Sequence, residues 1–207
     1  MNVRLLSPLI AASLLATAGC DRAPEPLKVA KPLSMRQLLN AEYASQWARD
    51  GRARLVDGQY RESAAPGAAT EILVRATEFS ALGDLDGDGA GDGVLVIESD
   101  PGGSGVFFEL AGALNRAEQP VTLTPVSLGD RVQVTGLSLD KDGTVRVNLV
   151  KHGPNDPQCC PTLKVTLRYR LSGDRLVSAD QEPNRVSASP VRRYTVHSLI
   201  PTAPMRS

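Results

Sequence analysis

Hydrophobic residues recur at every second position over much of the chain. Thr162 to Leu171 sets Leu163, Val165, Leu167 and Tyr169 against Lys164, Thr166, Arg168 and Arg170. Thr70 to Phe79 likewise sets Ile72, Val74 and Ala76 against Glu71, Leu73 and Arg75. A period of two belongs to a strand with one buried face. Arg131 to Leu139 and Thr144 to Val150 alternate as well, joined by Asp140-Lys141-Asp142-Gly143. Val94 to Glu98 is a short apolar run between turns, and Val106 to Leu114 fits a strand or a helix. Asp57-Gly58, within Ala53 to Glu62, predicts a hairpin because both turn positions accept positive φ. Ser172-Gly173-Asp174 then turns the chain into Leu176-Val177. One helical pattern stands apart: Ser34 caps a short helix through Met35, Leu38 and Leu39 that extends toward Trp47. The expectation is a mainly β fold, an antiparallel sandwich or open barrel of about eight or nine short strands with a short N-terminal helix. It occupies residues 34–179 and leaves 180–207 as a proline-bearing tail with one extra strand at Val191 to Leu199. No internal repeat is present, which excludes a propeller or solenoid.

Composition narrows the function classes. The 207 residues carry 23 basic and 23 acidic side chains, a net charge of zero, and only 4% are aromatic. A nucleic-acid partner is therefore not expected, since neither a basic excess nor a stacking platform is available. Arg4 followed by the apolar stretch Leu5 to Ala18 reads as a targeting leader over residues 1–19, too short to span a bilayer comfortably. Its end, Thr17-Ala18-Gly19-Cys20, resembles the lipobox of bacterial lipoproteins, with Thr17 where Leu is usual. That resemblance implies lipidation at Cys20, a polar tether over residues 20–33, and attachment to the membrane through acyl chains. Asp21 resembles the enterobacterial signal for inner-membrane retention. The expected location is the cell envelope, facing the periplasm, with the inner membrane favoured.

Charge is segregated along the chain. Between Ala76 and Asn115 there are eight acids and no base, whereas from Arg116 onward there are 13 bases and 8 acids. Four of the acids form Asp84-Leu85-Asp86-Gly87-Asp88-Gly89-Ala90-Gly91-Asp92. Alternate carboxylates of such a loop can converge on one cation, with the Ala90 carbonyl as a further oxygen and Asp92 closing the ring directly or through water. Ca²⁺ tolerates that irregular oxygen set better than Mg²⁺ does. The loop resembles the calcium loops of FG-GAP repeats. It departs from an EF-hand at its twelfth position, Leu95, where a bidentate Glu belongs. The expected metal set is Asp84, Asp86, Asp88, Ala90 and Asp92, with Ca²⁺ bracing a hairpin. The competing reading is that Asp and Gly are simply good turn formers.

Asp100-Pro101-Gly102-Gly103-Ser104-Gly105 lacks the Lys of a phosphate-binding loop, and Val106 stands where a nucleophile elbow needs its second Gly. It reads as a connection. His152-Gly153-Pro154-Asn155-Asp156-Pro157-Gln158-Cys159-Cys160-Pro161-Thr162 is less ordinary, a stiff excursion between two strands. In an oxidising envelope its adjacent thiols would not stay free. Three readings stand: a disulfide between neighbours forming a rigid plate at a binding surface, a redox or metal pair with His152, or two inert buried thiols. Together GDLDGDG, DPGGSG, LGDRVQV and HGPNDPQCCPT resemble, in this order, a family of bacterial envelope proteins with no established activity, many with lipoprotein leaders. The resemblance spans Leu55 to Val177.

The leading expectation is a lipid-anchored, calcium-stabilised binding module without catalytic activity. It would present His152, Asn155, Asp156, Cys159 and Cys160 to a glycan, a peptide or another envelope protein. The alternatives are a thiol enzyme using Cys159 or Cys160 with His152 as base, and a structural envelope component.

Overall fold

A computed structural model describes residues 30–180, apart from 104 and 158. The leader, Cys20, Asp21, most of the tether and the chain from 181 onward, including the expected strand Val191 to Leu199, lie outside the described residues. The described chain is mainly β, in three antiparallel sheets with one short helix. The smallest sheet pairs β1 (Glu42–Ala44) with β2 (Arg52–Arg54). The largest runs β3 (Gln59–Ser63), β4 (Glu71–Gly83), β5 (Asp92–Asp100), β6 (Phe107–Arg116) and β7 (Gln119–Thr122), while β8 (Val126–Asp130) pairs with the other half of β6. The third orders β12 (Arg175–Ser178), β11 (Leu163–Ser172), β10 (Val145–Lys151) and β9 (Gln133–Leu139). None of them closes into a barrel; the two larger sheets face each other as a sandwich.

Strand alternation sorts the core into two. On one face of the large sheet Val94, Val96, Leu110 and Leu114 pack with Val145, Val147, Leu149, Tyr169 and Leu176 of the third sheet. On the opposite face Leu95, Ile97, Ala111 and Ala113 pack with Leu38, Tyr43, Ala53 and Leu55 of the N-terminal unit. β5 and β6 are thus covered on both sides. A strand buried on both faces needs no polar alternation, which accounts for the unbroken apolar run after Gly93.

Three local expectations are refined. Ser34 does cap the helix, and its own N–H reaches the Gln37 Oε1 at 3.0 Å in a capping box. The helix α1 (Met35–Leu38) nevertheless stops well short of Trp47. Tyr43 turns inward on β1, donating its hydroxyl to the Leu38 carbonyl at 3.0 Å, and Trp47 stacks on Phe107 with ring centroids 4.2 Å apart. Asp57 and Gly58 take the positive φ of a tight turn, 49° and 84°. The strands they join do not form a ladder, however: β2 pairs with β1 and β3 with β4, so the turn passes the chain from one sheet to another. The stretch Val106 to Leu114 resolves as strand from Phe107 onward, within β6. Among the described residues no helix is long and apolar enough to cross a membrane.

Candidate functional site

The acidic loop is the connection between β4 and β5. Its aspartates fold it by accepting backbone N–H groups. Asp84 takes Gly87 N at 2.7 Å on one oxygen and Gly89 N at 3.0 Å on the other. Asp86 Oδ1 accepts Asp88 N at 3.2 Å, and Asp88 Oδ1 accepts Ala90 N at 2.8 Å. Positive φ at Gly87 and Gly89, 81° each, lets the chain turn tightly enough for this. Asp84, Asp86 and Asp88 each offer an oxygen within 4.8 Å of the others, a group that could hold a metal ion. Nothing in this geometry selects calcium over another divalent cation.

Asp92 is placed differently. It is fully buried, and its two oxygens accept Leu85 N at 2.8 Å and Asn115 N at 2.7 Å. Burial pushes its carboxyl above the ordinary range, and the charges of Asp86 and Asp88 add to that, while the two N–H donors oppose it. It pins the end of the loop to β6 and lies outside the three-aspartate group. Ala90, also buried, gives its N–H to Asp88.

The residue that the sequence did not point to is Arg116, at the end of β6. Its guanidinium reaches Asp86 Oδ2 at 2.6 Å and Asp88 Oδ2 at 2.9 Å. Burial alone would raise the Asp86 carboxyl, but the Arg116 donor and the Asp88 N–H outweigh it and hold that group below its usual range. Part of the carboxylate repulsion is therefore met by a side chain of the protein itself. The available signal was positional: Arg116 is the first base after the all-acidic stretch.

The loop also receives the chain from the N-terminus. Leu33 N donates to the Gly91 carbonyl at 2.8 Å, and Asn115 Nδ2 donates to the carbonyls of Lys31 at 2.9 Å and Gly91 at 3.2 Å. On its other side, the turn between β9 and β10 presses on it: a Cβ at Gly143 would lie 2.8 Å from the Leu85 carbonyl oxygen.

The second candidate, His152 to Thr162, connects β10 to β11. Cys159 and Cys160 form a disulfide, with Cα atoms 3.8 Å apart, and both are exposed. Asp156 staples the base of this loop. Its carboxylate accepts Gly153 N at 2.8 Å, Thr162 N at 2.7 Å and the Thr162 hydroxyl at 2.9 Å. Those donors, Gly153 first, hold its carboxyl below the usual range, with a smaller contribution from the nearby His152. Asn155 is exposed and His152 half-buried. The two candidate loops lie at opposite ends of β10, separated by its seven residues, about 23 Å of strand.

No known family, curated protein or solved structure matches the chain.

Proposed function

We propose that this protein is a lipid-anchored binding module of the bacterial envelope, tethered beside the acidic loop and presenting the Cys159–Cys160 loop away from the membrane. The observation that carries the reading is the polarity of the domain. The N-terminal segment enters against Gly91 at one end, and the stapled, exposed disulfide stands at the other. The leader and its Thr17-Ala18-Gly19-Cys20 end support the anchor. A bridge between adjacent cysteines, held on a loop fixed by Asp156, offers a rigid sulfur surface whose ordering cost is already met before a partner arrives. The ligand is a glycan, a peptide or another envelope protein. Ca²⁺ in the Asp84, Asp86 and Asp88 group would brace the membrane-side end, as the oxygen-only donor set and irregular loop suit a large hard cation.

The test is crosslinking in intact cells, comparing wild type with Cys159→Ser/Cys160→Ser and with Asp156→Ala. A crosslinked species lost in both variants and kept in wild type supports the reading. An identical pattern in all three removes the loop from the account. Partition of the Cys20→Ser protein into the soluble fraction tests the anchor separately.

A further inference from the structure

The face of the third sheet that points away from the sandwich carries a cleft rich in arginine. Arg146 on β10 and Arg168 on β11 are direct cross-strand partners, and Arg170 lies two residues further along β11. All three are exposed on the same face. With Asp142, Thr144 and Ala179 they line a cleft of about 470 Å³. Like charges directly opposite on a ladder repel, and Asp140, Asp142 and Asp180 offset part of that repulsion.

The aspartates nearby orient the guanidiniums without consuming them. Arg146 Nε lies 2.6 Å from Asp140 Oδ2, and Arg170 Nη2 donates to Asp142 Oδ2 at 2.8 Å. The Arg168 guanidinium is 3.8 Å from Asp180, beyond hydrogen-bonding reach. Each guanidinium has five N–H donors, so most of them are left unpaired among the described residues. A further group points the same way. Thr144 is only 5% exposed, and its hydroxyl, though near the Asp142 carboxylate, meets no partner in bonding geometry among the described residues. A buried hydroxyl without a partner is costly unless something arrives to take it.

We infer that this cleft binds a terminal phosphate group, carried as the monoester headgroup of a lipid or free in solution. Three guanidinium forks and a hydroxyl offer more donors than the two oxygens of a carboxylate can accept, whereas a tetrahedral oxyanion presents three or four. The inference does not depend on the disulfide loop, which lies at the other end of β10.

The experiment is isothermal titration of the full chain with inorganic phosphate, at ionic strength held constant with chloride. Saturable binding is expected. Arg168→Ala should raise the dissociation constant about tenfold or more, while Arg61→Ala, on β3, should leave it unchanged. Thr144→Val keeps the shape of the side chain and removes only the hydroxyl. It should weaken phosphate binding without lowering the melting temperature, an outcome that a packing role would not produce. Cosedimentation of the Cys20→Ser chain with vesicles containing phosphatidic acid, whose headgroup is a phosphomonoester, separates the sources. Retention that phosphate reverses identifies the headgroup, and phosphate binding without retention identifies the free anion. No saturable binding, equal constants for wild type and Arg168→Ala, or vesicle retention indifferent to Arg168→Ala would overturn the proposal.

Discussion

Arg116 and Asp86 are thirty residues apart in sequence and 2.6 Å apart in space, the guanidinium of one lying on the carboxylate of the other. Arg116 also reaches Asp88, so one side chain spans two of the three carboxylates that could hold a metal. A cation entering this group meets a positive charge already there, and the two must compete or rearrange.

Arg116→Gln therefore separates the two roles. In chelator the variant should melt below wild type, because the carboxylates lose the only base that pairs with them among the described residues. Its affinity for Ca²⁺ should rise by roughly two- to fivefold, the scale of an exposed ion pair. Calorimetric titration with Ca²⁺, in parallel with melting in EGTA, reads both. Equal affinities in variant and wild type would mean that Arg116 swings clear when the metal binds.

Asp92→Asn tests the buried clasp. Asp92 accepts one N–H on each oxygen, and the amide of Asn can accept on only one. Its NH₂ would face a backbone donor in a fully buried site. The expected loss is about 2 kcal/mol, or roughly 5 °C in melting temperature for a domain of this size. A variant that melts with wild type would show that the loop tolerates detachment from β6.

The sandwich was legible because alternation is local: Val165, Leu167 and Tyr169 need no knowledge of their partners to mark the face that packs on the core, although Leu163 at the start of the run stays exposed. The loops were legible for the same reason, since Asp84 to Asp92 and the Cys159–Cys160 pair are contiguous in sequence. What escaped was set by distant neighbours. β1, β7 and β8 span three to five residues each and owe their strand state to pairing, β7 doing so despite Pro120. Arg116 faces Asp86 because the β5–β6 ladder brings the end of β6 back to the loop, a matter of register that composition does not disclose. Asp92 carries the motif of a ligand, yet Asn115, delivered by that same ladder, takes one of its oxygens.

Asp156→Ala should loosen the disulfide loop while leaving the sheets intact. The carboxylate ties both ends of the loop, at Gly153 and Thr162, and neither contact belongs to a core. Amide exchange at Gly153 and Thr162 should accelerate about tenfold, with the global melting temperature within a degree or two of wild type. Acid should mimic the substitution. The Asp156 carboxyl is held below its usual range, so loop order is present above the unfolded value near 3.8 and fades as pH falls through the lower folded one. Proton NMR exchange rates across that window check both statements.

Glu109 sets the opposite pH dependence. It lies on β6 facing the N-terminal core with 9% exposure, and among the described residues no base pairs with it. Burial raises its carboxyl above 4.5, so the native state holds a proton that the unfolded chain has released. The sign follows from that difference. Stability is greatest below the unfolded value and declines as pH rises toward and through the folded one, because an unpaired charge must then form in a buried place. Glu109→Gln keeps the shape and removes the charge. Its melting temperature should coincide with wild type near pH 4 and exceed it at pH 7, flattening the curve between. If instead the glutamine variant melts lower at pH 7, the carboxylate has a stabilising partner in the folded protein and the account of its burial is wrong.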